Sequence, residues 1–411
     1  MASTTVASRA VVPFLVAMML LTGVCNTLLT KYQDNQCVRN CDPSDGGKPA
    51  NFHQPVFQTA QMFVGEMGCW LVVGLMSLYR RYRPTTSPSD RGYQPVNTDV
   101  DAPQADSRTS HEVDGDEFDH HAKPSILRGF RVLLLALPST CDICGTTLMN
   151  AGLVLVAASI YQMTRGALVL FVGMFSVIFL RRRLHLFQWL SLVGVFLGVA
   201  VVGLCGVLWP DKKEAESADE QGDAAMAVVG ILLIAGAQIF TATQFVLEEW
   251  ILENSTIEPI RVVGWEGIFG FTVTVLIMIV MHLFVGRTEA GRYGMFDMVE
   301  GWNQMMHNKQ ILISSILIMI SIGGFNFFGL AVTRSVSATA RSTIDTCRTL
   351  FIWIVSLGLR WERFKWLQIV GFAMLVYSTF VFNGIVQPPL KSLQVDEETE
   401  ELLPEEPIEH N

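Results

Sequence analysis

Three ionisable residues, Arg341, Asp345 and Arg348, stand close together in an otherwise apolar stretch of the carboxyl-terminal half. Their i, i+4 and i+7 spacing places all three side chains on one face of a helix. One aspartate neutralises one arginine, so one positive charge needs a counter-ion from another helix or from a bound molecule. A planar guanidinium group suits phosphate or carboxylate. The pattern indicates a site for a negatively charged group.

Four further ionisable residues lie in apolar stretches: Glu66, Asp142, Arg165 and Glu266. Asp142 and Arg165 flank a predicted hairpin tip near Ala157, so we expect them to face one another. Either they are a structural ion pair, or they are substrate ligands or gating residues that pair with each other in one state only. We predict that Glu66, Asp142, Glu266 and Asp345 balance charge or carry protons. If the two glutamates compensate the surplus arginine, the network is structural or proton-coupled.

The composition sets the environment of these residues. The 411 residues are 50% hydrophobic and only 16% charged, whereas soluble chains carry about 25% charge. This excludes a soluble enzyme with one large core, and a disordered chain, which needs low hydrophobicity. No basic face is present to bind nucleic acid. Apolar blocks of roughly 20 residues recur along the chain, which predicts a polytopic membrane protein.

Ten of these blocks are predicted to span the membrane as α-helices, because a helix satisfies its own backbone hydrogen bonds in lipid. The predicted spans are about Val11–Leu29, Val56–Tyr79, Phe130–Val154, Ala157–Leu180, Leu186–Leu208, Ala224–Leu247, Val262–Val285, Gln310–Val332, Val336–Leu359 and Trp366–Val386. Arginine clusters around the second to fourth spans place both termini in the cytosol. A further segment, Met298–His307, is predicted to be an interfacial helix on the far side.

The spans divide into two groups of five with the same pattern of longer spans, a tight hairpin and a closing span. A shift of about 180 residues aligns short stretches of the two groups. Glu66 and Glu266 stand in matching glycine-rich stretches. Because five is odd, the second group enters the membrane inverted, as in alternating-access carriers. We predict repeats at 11–208 and 224–386, with the site at their interface.

The remaining segments are polar. Residues 1–10 form a cytosolic amino terminus, 84–123 a disordered cytosolic linker, 209–223 a far-side loop and 387–411 an acidic cytosolic tail. The tail contains Glu398, Leu402 and Leu403 in the spacing of an acidic dileucine signal that clathrin adaptors read. Cys37 and Cys41, in the first far-side loop, are candidates for a disulfide in an oxidising compartment.

Several chemistries are missing from the sequence. There is no phosphate-binding G-x-x-x-x-G-K-[ST] loop and no H-E-x-x-H motif. No set of nucleophile and base stands out, so we predict no enzymatic activity, no cofactor and no bound metal. Transport, if it occurs, must draw on gradients or exchange.

Several stretches carry a family resemblance: Gln61-Met62-Phe63-Val64-Gly65-Glu66, Cys141-Asp142-x-x-Gly145-Thr146, Tyr161-Gln162-Met163-x-Arg165-Gly166-Ala167, Gln244-Phe245-Val246-Leu247-Glu248-Glu249, Glu266-Gly267-x-Phe269-Gly270 and Ser337-Ala338-Thr339-x-Arg341. With them the chain resembles the drug/metabolite transporter superfamily, which includes EamA-type carriers and nucleotide-sugar transporters. It is most similar to the F branch of solute carrier family 35. The resemblance implies a carrier in a lysosomal, vacuolar or other endomembrane, and it does not fix a substrate.

These observations predict an all-α membrane protein of ten transmembrane helices in two inverted five-helix repeats, acting as a secondary transporter. The substrate is a small anionic or zwitterionic metabolite, such as a nucleotide sugar, an amino acid or a small peptide. The predicted substrate-binding residues are Arg165, Arg341, Arg348, Gln162 and Asn326. The alternative is a membrane scaffold or regulator that keeps the carrier fold without transporting. A homodimer is left open.

Overall fold

The computed structural model describes residues 2–41, 50–52, 54–82, 129–156, 161, 164–208, 224–289, 291–294, 296–359 and 364–388. Several predictions lie outside these residues: the linker 84–123, the loop 209–223, Gln162, and Glu398, Leu402 and Leu403 of the tail.

The described residues are almost entirely helical. The helices are α1 Ala2–Asp34, α2 Pro55–Tyr82, α3 Ala136–Leu155, α4 Leu168–Phe179, α5 Leu186–Leu208, α6 Ala224–Glu253, α7 Pro259–Met281, α8 Met298–His307, α9 Lys309–Ser335, α10 Ala338–Gly358 and α11 Trp366–Phe382. A 3-10 segment, Gly129–Leu135, leads into α3, and a π-helical turn, His282–Gly286, follows α7. Proline at the first position of α2 and of α7 suits a helix start, where its missing N–H costs no hydrogen bond.

This architecture confirms the prediction of an all-α polytopic membrane protein. Seven of the described helices are long and apolar enough to cross a membrane, and α4 and α11 are shorter apolar helices. Helix α10 has 21 residues and carries the three predicted charges. Each of the ten predicted spans overlaps a described helix, although α4 covers only the second half of the fourth span, and the number that crosses the bilayer stays a prediction. Helix α8 has the predicted bounds, and its interfacial position is still a prediction.

One predicted boundary differs in a way that matters for the site. The sixth span was expected to end at Leu247, but α6 continues to Glu253. The expectation followed the edge of the apolar run, where Glu248 and Glu249 begin. In the structure both glutamates are buried, at 0% and 1% exposed, and they pair with Arg341 of α10 and with Arg182, which follows α4. A helix does not need to end where its apolar sequence ends if protein covers its charges.

Many of the helix contacts come in pairs. If each of the first five predicted spans is replaced by its counterpart among the second five, and the reverse, one contact of a pair becomes the other. Helix α1 packs on α9 and α3 on α6; α1 also touches α10, and α4 touches α6. Likewise α2 packs on α9 and α3 on α7. Three further contacts join equivalent helices: α2 with α7, α4 with α10 and α5 with α11, whereas the contact of α7 with α9 has no counterpart of similar extent between α2 and α3. This is the contact pattern that two halves related by a two-fold axis would produce.

Helices α2 and α7 cross very closely. Three glycines at every third position of α7 face α2: Gly264, Gly267 and Gly270. A Cβ atom at Gly267 would lie 2.6 Å from the backbone nitrogen of Met67 and 2.8 Å from Cβ of Glu66. Only glycine permits this approach, which brings Glu66 beside the turn of α7 that carries Glu266.

A disulfide-bonded hairpin marks one end of the helix bundle, called here the disulfide side. Cys37 and Cys41 form a disulfide with a Cα–Cα distance of 5.8 Å, and β1, Cys37–Arg39, pairs antiparallel with β2, Ala50–Asn51. Arg39 forms a 3.0 Å ion pair with Glu300 of α8 and lies over the ring of Tyr293. The hairpin and α8 are therefore on the same side of the bundle.

Candidate functional site

Arg341 is the largest fully buried side chain among the described residues. It is 1% exposed, and its Nη1 donates to Oε2 of Glu248 on α6 at 2.5 Å. Its guanidinium group lies 4.2 Å from the ring centroid of Phe245. A Cβ atom at Gly329 of α9 would lie 2.8 Å from its Nε, so glycine is needed there to leave space. The surplus charge expected on α10 thus finds a counter-ion on another helix.

The start of α10 fixes the position of this pair. The Ser337 side chain accepts a hydrogen bond from the Ala340 N–H and caps the helix. Oε2 of Glu249 accepts from the Ala338 N–H at 3.0 Å, and Glu249 also pairs with Arg182 at the end of α4 at 2.5 Å. The two consecutive glutamates of α6 therefore hold α10 at its first turn.

Three more carboxyl groups surround the Arg341–Glu248 pair. Glu66 and Glu266 are 5% and 6% exposed, and Asp142 is partly buried. Each is close enough to Glu248 and Arg341 for their charges to interact. We call Glu66, Asp142, Glu248 and Glu266 the acidic cluster.

The acidic cluster has more carboxyl groups than its cation can neutralise. Four carboxyl groups face one guanidinium group, and burying an unpaired charge is costly. Asn326 donates to Oε1 of Glu66 at 2.5 Å, but an amide brings no charge. Oε1 of Glu266 has no hydrogen-bond partner among the described residues. Such a cluster is suited to take up and release protons.

Arg348 lies two turns further along the same helix. Its Nε is 3.3 Å from Oδ1 of Asp345, and its guanidinium group lies 4.8 Å from the ring centroid of Phe325. A Cβ atom at Gly23 of α1 would lie 2.8 Å from its Cδ. At about 1.5 Å per residue, Arg348 is about 15 Å from the start of α10, which would be the depth of a bilayer midplane if α10 spans the membrane as predicted.

Arg165 contributes a second positive charge to this region. It lies close enough to Arg348 for the two positive charges to interact. We call Arg165 and Arg348 the cationic pair. Between described residues, Arg165 forms no ion pair within 4.0 Å, with Asp142 or any other carboxylate. The ion pair considered from sequence is thus not formed in this state, and Asp345 is the carboxylate paired with Arg348.

The structure divides the predicted site residues between two places. Arg341, Glu66, Asp142 and Glu266 meet in and around the acidic cluster, and Asn326 binds Glu66 there. Arg165, Arg348 and Asp345 meet near the middle of α10. Among the described residues, no group of three or more His, Cys, Asp or Glu side chains could hold a metal ion.

The principal residue that sequence reasoning missed is Glu248. The surplus charge of Arg341 and Arg348 called for a counter-ion from another helix, which was the available signal. Glu248 was placed outside the membrane because the apolar run ends at Leu247. A search of charged residues within one turn of each predicted span end would have included it.

The comparisons with known proteins agree with this fold. Residues 110–325 match the sequence model of the family described as Nucleotide-sugar transporter. Solute carrier family 35 member F6 of Homo sapiens is 35% identical over 382 residues, which are 92% of this chain and 91% of that protein. An uncharacterized protein of Schizosaccharomyces pombe is 35% identical over 372 residues, 90% of this chain and 97% of that protein.

A solved crystal structure of a protein superposes on 92% of this chain and 97% of its own, with a TM-score of 0.57 at 10% identity. At that identity the likeness shows the fold alone. The family match and the human relative carry the assignment of function class to a multi-pass membrane transporter. The chain belongs to the nucleotide-sugar transporter family and is related to the F branch of solute carrier family 35.

Proposed function

We propose that this transporter is a secondary-active carrier that moves a small anionic or zwitterionic metabolite by alternating access. The cationic pair binds the negative group of the substrate. The acidic cluster balances charge and carries protons. The Arg341–Glu248 ion pair holds α6 and α10 together and positions both sites.

The observation that carries this proposal is the surplus charge of the cationic pair. Two guanidinium groups lie at the predicted depth of the membrane centre, and Asp345 neutralises one of them. An uncompensated charge at that depth costs about 2.5–3.5 kcal/mol on insertion scales, so it normally faces a cavity or a partner. An incoming phosphate or carboxylate would supply the missing negative charge through paired hydrogen bonds.

The paired contacts of the two halves support alternating access. Helices α2 and α7, α4 and α10, and α5 and α11 each join equivalent positions across the interface. Arg165 precedes α4 and Arg348 is on α10, so the cationic pair lies between the two halves. A rocking motion at this interface would expose the same two guanidinium groups to each side in turn.

The family name suggests which anion to test first. A nucleotide sugar carries a diphosphate, and two neighbouring guanidinium groups suit two phosphoryl groups. An amino acid or a small peptide would instead use the cationic pair together with Asp345. We infer no preference between these classes from the described residues, and the experiment below separates them.

We further propose an endomembrane location with both termini in the cytosol. The disulfide of Cys37 and Cys41 then faces an oxidising lumen, as disulfides require. Glu398, Leu402 and Leu403 would be accessible to a clathrin adaptor on the cytosolic side. A homodimer remains compatible with this arrangement.

The proposal is tested by ligand-dependent thermal stability of the purified protein at two pH values. The probes are nucleotide sugars, nucleotides, amino acids and small peptides. A bound ligand at 100 times its Kd should stabilise the protein by about 2.7 kcal/mol. We expect stabilisation by one class, and we expect Arg165→Ala to abolish it.

The matched control is Arg183→Ala, because Arg183 is exposed just past the end of α4. It should leave the stabilisation unchanged. Arg165→Lys keeps the charge but loses the two-pronged geometry, so it should retain part of the effect. If no class stabilises the wild type and no probe is taken up by proteoliposomes, the scaffold alternative replaces the carrier.

A further inference from the structure

An apolar groove of about 480 Å3 opens between α2, α7, α8 and α9 on the disulfide side. Its volume lies within the range of ligand cavities, about 300–1,000 Å3. The lining includes Phe57, Val275, Met278, Trp302 and Met305, and its exposed area is almost entirely apolar. The groove is separate from both charged sites and takes no part in the mechanism above.

One polar side chain in the lining of the groove, that of Gln61, has an acceptor atom to which no described group donates a hydrogen bond. Gln61 lines the groove and is 3% exposed, and its Nε2 donates to Sδ of Met305 at 3.2 Å. Its Oε1 has no hydrogen-bond partner among the described residues. Because sulfur accepts and does not donate here, the amide cannot satisfy both ends by turning over. A buried acceptor without a donor is costly, and an occupant that donates one hydrogen bond would remove that cost.

Residues of α8 line one side of the groove. Helix α8 presents Val299, Trp302 and Met306, all about half exposed, on one face, while Gly301 and Met305 are buried on the other. Such an apolar face with a tryptophan is typical of a helix that lies in the interface of a bilayer. Trp302 packs edge-on against Phe57 at the groove. If α8 lies in the bilayer interface as predicted, an occupant would enter the groove sideways from the lipid.

We propose that this groove binds a membrane sterol, whose hydroxyl group donates to Oε1 of Gln61 while its ring system fills the apolar lining. Glycerol esters of ordinary phospholipids only accept hydrogen bonds, so they would leave Gln61 unsatisfied. Gln61 is six residues into α2, about 9 Å below the start of the helix, which is a shallow depth suited to a lipid hydroxyl group. The proposal is independent of the transported substrate.

The test measures saturable binding of labelled cholesterol to the full chain in phospholipid nanodiscs. Cholesterol 3-methyl ether is the matched ligand, because it has the same ring system and cannot donate. We expect it to compete about fivefold more weakly than cholesterol, the value of one net hydrogen bond. Gln61→Leu should remove this difference, and Ala60→Trp should block binding by filling the groove.

Gln36→Leu is the control substitution, because Gln36 lies outside the groove and, among the described residues, its side chain bonds only to the Tyr32 carbonyl. It should bind cholesterol like the wild type. Equal competition by cholesterol and its methyl ether would overturn the proposal, as would the absence of saturable binding. This comparison of ligands uses the wild type, so it decides the matter even if Gln61→Leu fails to fold.

Discussion

Arg341 and Arg348 are two arginines of one helix with closely similar surroundings and different charge balance. Each guanidinium group lies beside a phenylalanine ring, Phe245 or Phe325, and each faces a glycine of another helix. Arg341 has a buried carboxylate from α6 at 2.5 Å. Arg348 has one from its own helix at 3.3 Å and a second cation beside it. The first arrangement suits a permanent joint between helices, and the second suits a binding site.

The difference in depth agrees with this reading. Arg341 is one turn, about 5 Å, into α10, whereas Arg348 is about 15 Å into it. A carboxylate near the end of α6 can reach the first position without crossing the membrane centre. The second position has access to the middle of the bundle, where an alternating-access site is expected.

The largest effect on stability is expected from Arg341→Gln, which tests whether the ion pair of Arg341 joins α10 to α6. It leaves Glu248 buried without a cation, and removing one partner of a buried ion pair costs about 3–5 kcal/mol. We expect loss of folded protein, measured as the free energy of unfolding in detergent micelles and as monodisperse yield. Arg348→Gln should cost clearly less.

The double variant Arg341→Gln with Glu248→Gln should recover much of the loss, since two amides of similar shape can bond to each other. If Arg341→Gln alone is as stable as the wild type, the ion pair does not hold α10, and the contrast drawn between the two arginines fails.

The next effect concerns space beside Arg341. Gly329→Ala would place a Cβ atom 2.8 Å from Nε of the buried guanidinium group. Overpacking of this kind costs about 1–3 kcal/mol. The matched control is Gly68→Ala on α2, where nothing lies within 4 Å of the added atom. Thermal unfolding should show destabilisation of the first variant and none of the second; equal behaviour would contradict the tight fit.

Asp345→Asn tests the charge balance around Arg348. This change removes the carboxylate that offsets the cationic pair, so the negative group of the substrate meets one more positive charge. A unit charge at roughly 8 Å contributes about 2 kcal/mol at an effective dielectric constant of about 20. We expect the ligand found in the stability screen to bind about thirtyfold more tightly if it is an anion. Weaker binding would show that Asp345 itself contacts a zwitterionic substrate.

The smallest expected effect concerns proton coupling by the acidic cluster. Glu266→Gln removes one titrating carboxyl group, so the number of protons moved per substrate should fall by about one if Glu266 carries a proton. The measurement is the pH dependence of uptake into proteoliposomes, which should become shallower. Glu258→Gln is the control, because Glu258 is an exposed residue that pairs with Arg261 on the surface. An unchanged pH dependence in both variants would assign Glu266 a structural role only.

Sequence reasoning placed the helices well because long apolar runs leave little choice in a bilayer. It also placed the three charges of α10 on one helix and gave α8 its bounds. Partners across helices were harder, since the period of one helix says nothing about which neighbour it meets. Asp142 and Arg165 lie on opposite sides of the predicted hairpin tip, yet Asp142 interacts with the acidic cluster and Arg165 with Arg348. Glu248 was missed because hydrophobicity alone set the end of α6.

The close crossing of α2 and α7 has a mechanical consequence. Gly267 lets the backbone of α7 touch α2 beside Glu66, so the contact point of these two helices lies next to two acidic groups. If the two halves rotate against each other, this contact is the pivot, and the electrostatic repulsion between Glu66 and Glu266 acts at the pivot. Protonation of one of these two carboxyl groups would reduce the repulsion at the contact, and its deprotonation would push α2 and α7 apart. The contact about which the halves move and the carboxyl groups that control the motion would then lie within a few ångströms of one another.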